Sequence, residues 1–205
     1  MATSISTARH EALLEFSALG QADHLPTGLY VFPSEPTRWN GVLFLHRGYY
    51  QGAVLHFTLA LPSSYPSSAP LVTFDSPIFH PLVDPSSGRM RLDWRFPNWR
   101  PREDCIALVL HAVKGAFKRK ALEALREALY RDQTAVFARL ASQSALLSAS
   151  ASSLYSPPPA RSENALVTPI RFRRLEAGEE ERLTEEVERL GRAKVVGSSS
   201  EARAN

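Results

Sequence analysis

The sequence predicts an α+β domain in which a four-stranded antiparallel meander is flanked by an N-terminal helix and C-terminal helices. Three observations support this class. An amphipathic segment opens the chain, strand-like runs joined by short turns follow it, and helical periodicity returns only after residue 104. A Ser/Ala/Pro-rich stretch then separates this domain from a charged tail that is predicted to be partly helical.

Composition limits the class of protein. The 205 residues are 44% hydrophobic and 22% charged, which is typical of a folded globular chain. No apolar run reaches the ~18 residues of a membrane span, and the start lacks the features of a secretory signal. We therefore expect a cytoplasmic protein without direct membrane insertion. The net charge of +3 is small, so no nucleic-acid partner is expected.

The first half of the chain predicts one helix and four strands. The helix has apolar residues at helical spacing, and each strand is a short run of β-branched, aromatic or aliphatic residues. Turn segments with prolines or glycines separate the first three strands, and such short connections favour antiparallel pairing. The predicted helix is Ala8–Leu19, with Ser6 or Thr7 as its cap, and the strands are Gly28–Phe32, Gly41–Leu45, Ala53–Leu61 and Leu71–Phe74.

Residues 76–102 contain five prolines and two tryptophans without sustained periodicity. A segment of this kind inside a compact domain usually carries function or is held by special side chains. Trp99, between two prolines, is suited to pin the segment on the core. Helices are predicted next, from Cys105 to about Lys118 with Asp104 as the cap, and from about Ala121 to Leu147.

The domain prediction has three parts: a core domain over residues 1–147, a linker over 148–164 and a C-terminal extension over 165–205. Within the extension, Leu183, Val187 and Leu190 form a narrow apolar seam on a charged helix. A helix with so thin a stripe needs a partner surface. These three residues are therefore candidate contact residues.

The run from residue 61 to 81, LPSSYPSSAPLVTFDSPIFHP, resembles the signature of the ubiquitin-conjugating (UBC) fold. In that family a Tyr-Pro turn ends a strand, a further Pro precedes the fourth strand, and a His-Pro pair opens the active-site loop. The matching residues are Tyr65, Pro66, Pro70, Phe74, His80 and Pro81. Further matches in the same order are Trp39-Asn40-Gly41, Trp99-Arg100-Pro101 and residues 127–137 (EALYRDQTAVF), so the resemblance covers roughly residues 8–147.

The resemblance also shows which chemistry is missing. The family's Gly-x-x-Cys-Leu-Asp run reads Gly88-Arg89-Met90-Arg91-Leu92-Asp93 in this chain. Arg91 replaces the thiol that would accept ubiquitin, and a guanidinium cannot carry an acyl group. The family's Asn after the His-Pro pair is Leu82 here, which has no side-chain donor for a developing oxyanion. Arg91, His80 and Leu82 thus form a degenerate site, and we expect no catalytic residue, no cofactor and no enzyme activity.

Other reactive side chains have ordinary interpretations. Cys105, the only cysteine, begins a predicted helix, where a thiol pKa is lowered. A lone cysteine is nevertheless most often a small buried apolar residue, and that interpretation is favoured. The six histidines lack ligand spacing, so no metal site is predicted. The acidic residues around the loop are interpreted as caps, turn residues and arginine partners rather than as acids or bases; they are Asp84, Asp93, Glu103 and Asp104.

The loop with the degenerate site is rich in arginine and aromatic residues, the side chains favoured in interface hot spots. The candidate binding residues in it are Arg89, Arg91, Trp94, Arg95 and Phe96. The alternative is a solvated basic loop whose aromatic side chains point inward. The sequence leaves both interpretations open.

Two inactive branches of the family are relevant. Ubiquitin-conjugating enzyme variants (UEV) pair with an active enzyme or bind ubiquitin and peptides. Residues 42–57 and 78–88 resemble instead the Fused Toes (AKT-interacting protein) branch, because the first lacks a Pro-rich insertion and the second has Leu82 after His-Pro. That resemblance implies a non-catalytic adaptor. Its partners would be a Hook-type coiled-coil protein and a Hook-interacting protein, in a complex that couples early endosomes to dynein.

Overall fold

The computed structural model describes residues 2–21, 24–123, 134–155 and 172–189. The chain divides into two compact units, Met1–Arg171 and Phe172–Asn205. The first unit contains the sheet and most of the helices. In the described part of the second unit, residues 179–189 form a helix, here α5. No helix in the described ranges is both long enough and apolar enough to cross a membrane.

The first unit is an α+β domain, as the sequence predicted. Its sheet has four antiparallel strands in the order β1-β2-β3-β4. The elements are α1 (Ala2–Ala18), β1 (Leu29–Glu35), β2 (Arg38–Phe44), β3 (Val54–Ala60), β4 (Leu71–Phe74), α2 (Ile106–Ala116), α3 (Thr134–Ser148) and α4 (Ala151–Tyr155). Residues 119–123 are also helical. The middle of the helix predicted from Ala121 to Leu147 lies outside the described residues.

Several boundaries differ from the sequence prediction. Helix α1 begins at Ala2, so the predicted cap at Ser6 or Thr7 lies inside the helix. Strand β2 begins at Arg38, because Trp39 pairs with Leu59 of β3 and is buried. Strand β1 continues through Pro33 to Glu35, which is possible because β1 is an edge strand and the missing N–H of proline needs no partner there.

One face of the sheet forms the core. Leu55, Phe57 and Leu59 alternate along β3 and are fully buried, as their period of two predicted. Phe57 pairs with Gly41 of β2, and a Cβ atom at Gly41 would lie 2.2 Å from the ring carbon Cζ. The absence of a side chain at this position therefore lets the Phe57 ring lie across the neighbouring strand.

Helix α2 is capped from a distant part of the chain. Its N-cap residue is Cys105, whose side chain makes no capping hydrogen bond. The predicted cap at Asp104 was wrong, because the Asp104 carboxylate accepts from the Arg100 backbone N–H at 2.7 Å. The first helical N–H, that of Ile106, instead donates to Oε2 of Glu15 on α1 at 2.5 Å. A helix start with an unpaired N–H thus receives a carboxylate from another element.

The Glu15 carboxylate also accepts from the Tyr65 hydroxyl. Burial raises the pKa of Glu15, while the hydrogen bonds from Tyr65 and Ile106 act in the opposite direction. One side chain therefore joins α1, the start of α2 and the turn that leaves β3. Nearby, the Trp99 indole Nε1 donates to the Pro66 carbonyl at 2.8 Å, which confirms the predicted pinning role of Trp99.

The predicted linker over residues 148–164 is described only in part. Residues 151–155 form the short helix α4, and the stretch from 156 to 171 lies outside the described residues. The proposed domain boundaries at 147 and 164 stay a prediction.

We expect Glu15→Ala to lower the free energy of unfolding by about 2 kcal/mol, because the Tyr65 hydroxyl and the Ile106 N–H lose their acceptor. Glu15→Gln keeps one acceptor oxygen and should lose about half as much. Urea denaturation followed by tryptophan fluorescence measures both. Arg9→Ala, at an exposed site on α1, is the control and should change stability by less than about 0.5 kcal/mol. Equal stabilities of Glu15→Ala and Arg9→Ala would contradict the capping role.

Candidate functional site

His80 fastens the segment between β4 and α2 to the core. The ring is buried, and its Nδ1 accepts a hydrogen bond from the Leu82 N–H at 3.0 Å. The other nitrogen, Nε2, lies 3.3 Å from the Ala116 carbonyl oxygen. Since Nδ1 is an acceptor, the ring proton belongs on Nε2, which donates to Ala116 at the end of α2. The Phe117 ring packs against the imidazole with centroids 4.6 Å apart.

This environment keeps the imidazole neutral. Burial lowers the pKa of His80 to about 4, and the hydrogen bond to Ala116 only partly opposes that effect. A neutral ring with both nitrogens engaged has no proton to exchange with a ligand. His80 therefore holds the loop in place through both ring nitrogens.

The residues after the His-Pro pair lie antiparallel to those around Arg91. The Arg91 N–H donates to the Leu82 carbonyl at 2.7 Å, and the Asp84 N–H donates to the Arg89 carbonyl at 2.9 Å. Val83 and Met90 form a bridge between these two bonds. The structure thus brings Leu82 and Arg91, two of the three residues of the predicted degenerate site, next to each other, and His80 binds to Leu82 in turn.

A tight turn closes this pair of segments. Oδ1 of Asp84 accepts from the backbone N–H groups and hydroxyls of Ser86 and Ser87, which lowers the pKa of Asp84 to about 2. Gly88 has a φ of +70°, and a Cβ there would lie 2.3 Å from the Phe74 carbonyl oxygen. Sequence reasoning included Asp84 among residues expected in caps, turns or arginine pairs but did not locate this turn, although an Asp that can accept from residues two positions on is a recognised Asx-turn signal.

Arg91 points into solvent. Its Nη2 lies 2.7 Å from Oδ2 of Asp93, and the two side chains are 65% and 57% exposed. The hydrogen bond between the two side chains, helped by their opposite charges, raises the pKa of Arg91 and lowers the pKa of Asp93. The predicted roles of the loop acids as turn residues and arginine partners are confirmed, since Glu103 and Asp104 also pair with an arginine, Arg100.

A cleft of about 730 Å³ lies between residues 62–71 and residues 84–93. It is called the Arg89 cleft here, because Arg89 and Arg91 stand on one side of it together with Asp84 and Asp93. Its remaining lining is mainly apolar and comes from the β3–β4 connection and from residues next to Arg91. The predicted degenerate site therefore opens onto the cleft through Arg91, whereas His80 lies behind it in the core.

The family model described as "Ubiquitin-conjugating enzyme" matches residues 15–144, which is more than half of the chain. The chain belongs to the ubiquitin-conjugating enzyme family. The matched range contains the whole sheet, the loop with Arg91, helix α2 and most of α3. The predicted UBC-like fold is thereby confirmed.

Individual relatives agree with the predicted branch. The chain is 38% identical over 113 residues to the "Protein crossbronx homolog" of Anopheles gambiae, a match that covers 51% of this chain and 50% of that protein. It is 40% and 39% identical over 112 residues to the "AKT-interacting protein" of Danio rerio and of Homo sapiens, covering 51% of this chain and 38% of each relative. The chain thus spans half or less of these relatives, and its resemblance to the AKT-interacting protein branch is confirmed.

Cys105 lies in a different place from Arg91, the residue that the sequence resemblance aligns with the family's nucleophile. It is half-buried and lines a separate cavity of about 350 Å³, together with Glu15, His24 and Leu108. Arg91 lines the Arg89 cleft and not this cavity. Among the residues that the structure describes, no three His, Cys, Asp or Glu side chains come together in a way that would hold a metal ion.

The candidate binding residues of the loop divide by exposure. The side chains of Arg89, Arg91 and Arg95 are exposed. Phe96 is buried and packs on Trp99 with ring centroids 5.7 Å apart, so it belongs to the core. Arg95 lies over the Phe96 ring, 5.6 Å from its centroid. Trp94 is half-buried, and its indole Nε1 has no hydrogen-bond partner within the described ranges. The available surface therefore consists of the arginines.

The tail candidates lie in the second unit. Leu183 and Val187 are exposed on α5, at 44% and 68%. Leu190 falls outside the described residues. Two apolar side chains one turn apart on an otherwise polar helix are suited to a partner helix, and their contact with a partner stays a prediction.

We expect the free energy of unfolding to fall by up to about 3 kcal/mol as the pH drops from about 6.5 to about 4. The unfolded chain takes up a proton on His80 in this window, whereas folding depresses that pKa from 6.5 to about 4. The contribution of His80 to the free energy of unfolding is therefore fully present above the pKa that His80 has in the unfolded chain. It is lost as the pH falls through the lower pKa that His80 has in the folded chain. Urea denaturation at several pH values measures the slope.

Glu15 contributes with the opposite sign, because its raised pKa gives stability that is lost as the pH rises above its usual value of 4.5. The test is therefore made between variants. His80→Gln can donate and accept hydrogen bonds without titrating, and it should remove the His80 part of the slope. His10→Gln, at an exposed site on α1, should keep it. The same slope in both variants would exclude His80 as the group responsible.

Proposed function

We propose that this family member is a non-catalytic adaptor subunit. Its complex would contain a Hook-type coiled-coil protein and a Hook-interacting protein, and would couple early endosomes to dynein. The proposal that the chain is non-catalytic is supported by one observation: Arg91, which the resemblance aligns with the family's cysteine, is exposed and ion-paired. The assignment of partners is supported by the resemblance to the AKT-interacting protein branch.

The surroundings of Arg91 support the absence of acyl transfer. An oxyanion needs donors that are free to point at it. The Leu82 side chain offers none, and its backbone N–H already donates to His80 Nδ1. The Arg91 N–H donates to the Leu82 carbonyl and is likewise engaged. Both the nucleophile and the neighbouring donors of a thioester site are therefore lacking at this point of the fold.

A protein of this family without a nucleophile acts through its surfaces. The exposed arginines of the loop and the apolar pair Leu183 and Val187 on α5 are two such surfaces. The relatives named AKT-interacting protein are described by that name as interacting with AKT, and we include an AKT-type kinase among the partners to be tested. We expect a cytoplasmic protein that associates with early endosomes through its partners.

The alternative is a ubiquitin-conjugating enzyme variant that binds ubiquitin or pairs with an active conjugating enzyme. The specific observation in its favour is a pair of exposed aromatic side chains on β1, Tyr30 at 58% and Phe32 at 51%. Exposed apolar groups of this size on one strand face suit a protein partner. The two functions differ in the partner that the full chain retains from a cell extract.

The chain should form no thioester when it is incubated with activating enzyme, ubiquitin and ATP and analysed on a non-reducing gel. Arg91→Cys should form no thioester that passes ubiquitin on to lysine, because it restores a thiol but no donor beside Leu82. Cys105→Ser is the control for an adventitious thiol. A wild-type band that reducing agent removes and that Cys105→Ser abolishes would overturn the non-catalytic assignment, as would transfer of ubiquitin by Arg91→Cys.

Affinity purification of the full chain with mass spectrometry should recover a Hook-type protein. Leu183→Glu should reduce that recovery by about five-fold or more, because it places a charge in the apolar seam. Thr184→Glu adds the same charge to the neighbouring position on α5 and is the matched control. Recovery of ubiquitin or an active conjugating enzyme without Hook would favour the alternative. Unchanged Hook recovery in Leu183→Glu would remove α5 from the contact.

A further inference from the structure

The Arg89 cleft has the size and lining of a peptide-binding site. Its volume of about 730 Å³ falls within the range of roughly 300–1,000 Å³ that is typical of ligand sites. The apolar part of its lining comes from Pro62, Ala69, Pro70, Leu71, Met90 and Leu92. Leu71 is 38% exposed at the start of β4, so part of this apolar surface is available to a ligand.

The charges of the cleft are unequally partnered. Asp93 is paired with Arg91, and Oδ1 of Asp84 is occupied by the serine donors of the turn. Arg89 has no carboxylate within salt-bridge distance among the residues that the structure describes. Its backbone is nevertheless held on both sides, since its carbonyl accepts from the Asp84 N–H and its N–H donates to the Ser87 hydroxyl. An exposed guanidinium thus stands on a fixed backbone beside an apolar surface.

We propose that the Arg89 cleft binds a peptide segment that carries a carboxylate side chain next to an aliphatic one. Arg89 would take the carboxylate, and the apolar lining would take the aliphatic side chain. A guanidinium binds a carboxylate through two parallel hydrogen bonds, which gives direction as well as attraction. The inference goes beyond the adaptor function and does not require a Hook-type partner.

Other anionic partners fit the cleft less well. A nucleic-acid backbone would bring its phosphates close to Asp84 and Asp93, and none of the described residues that line the cleft is aromatic and could stack on a base. The same two carboxylates disfavour anionic lipid headgroups, which are attracted by clusters of basic residues. A peptide can place one carboxylate at Arg89 and direct uncharged groups elsewhere.

Asp93 acts in this arrangement as an internal competitor. It holds the Arg91 guanidinium at 2.7 Å, in an ion pair with both side chains more than half exposed. Exposed pairs of this kind are weak, so a ligand carboxylate can displace Asp93. Removing the Asp93 charge should therefore release Arg91 and add a second cation for the ligand. This predicts tighter binding from a substitution, a result that partial unfolding would not produce.

The test is fluorescence anisotropy with the full chain and three labelled octapeptides. One carries a single Leu-Glu pair in an otherwise uncharged Gly/Ser sequence, and the other two carry Lys or Gln in place of that Glu. The Glu peptide should bind at least about ten-fold more tightly than the Lys peptide, and its affinity should fall with salt. Arg89→Gln should weaken the binding of the Glu peptide about two- to five-fold, and Asp93→Asn should strengthen that binding. Arg102→Gln, at an exposed site outside the cleft lining, is the control and should change nothing.

Three results would overturn the inference. They are no saturable binding of the Glu peptide, equal affinity for all three peptides, and equal losses from Arg89→Gln and Arg102→Gln. Arg89-dependent binding of phosphatidylserine vesicles or of a single-stranded oligonucleotide more tightly than the Glu peptide would also overturn it. If the peptide binds in an Arg89-dependent way but no Hook-type protein is recovered, only the adaptor function is rejected. If a Hook-type protein is recovered but the peptide does not bind, only the peptide site is rejected.

Discussion

The buried imidazole of His80 is the constraint on which the site loop depends. Residues 75–105 connect β4 to α2 without a helix or a named strand, so their buried polar groups need specific partners. His80 is the partner of two such groups, because its ring accepts from the Leu82 N–H and lies within hydrogen-bond reach of the Ala116 carbonyl. Trp99 holds the far end of the connection on the Pro66 carbonyl. Between these anchors, the segment with Arg91 is bonded to the segment with Leu82.

In this arrangement the loop is held in place without any reactive side chain. The anchors bury apolar rings and satisfy backbone groups, and neither function requires a nucleophile. Position 91 faces solvent, so a large cation there carries no desolvation cost and finds a carboxylate two residues away in Asp93. The exposed surface that results is basic beside an apolar cleft. A loop that is open and charged in this way suits the binding function proposed above.

Much of the fold could be predicted because its signals are local. The alternation along β3, the proline-marked exits and the apolar stripe of α2 each depend on neighbours within a few positions, and the meander and α2 were confirmed. The prediction errors occurred where a contact between distant parts of the chain determines the local structure. The Ile106 N–H takes its acceptor from Glu15, 91 positions away, and not from the predicted cap Asp104, and β2 begins at Arg38 because β3 extends the pairing. The candidate binding loop could be located from its arginines, but the inward position of Phe96 could not.

The sequence by itself determined the class and order of the elements and, through the resemblance to the family, led to the expectation that Arg91 stands in place of a thiol. These follow from residue identity and from periodicities that act over a few neighbouring positions. The tertiary structure decided which groups meet. Glu15 caps a helix 91 positions away, and the turn that begins at Asp84 ends at Gly88, whose carbonyl accepts from the Phe74 N–H. Among the described residues, no carboxylate lies within salt-bridge distance of Arg89, which lines the cleft. The physical reason is that partners, burial and pKa depend on contacts between segments far apart in the chain, which only the packed fold brings together.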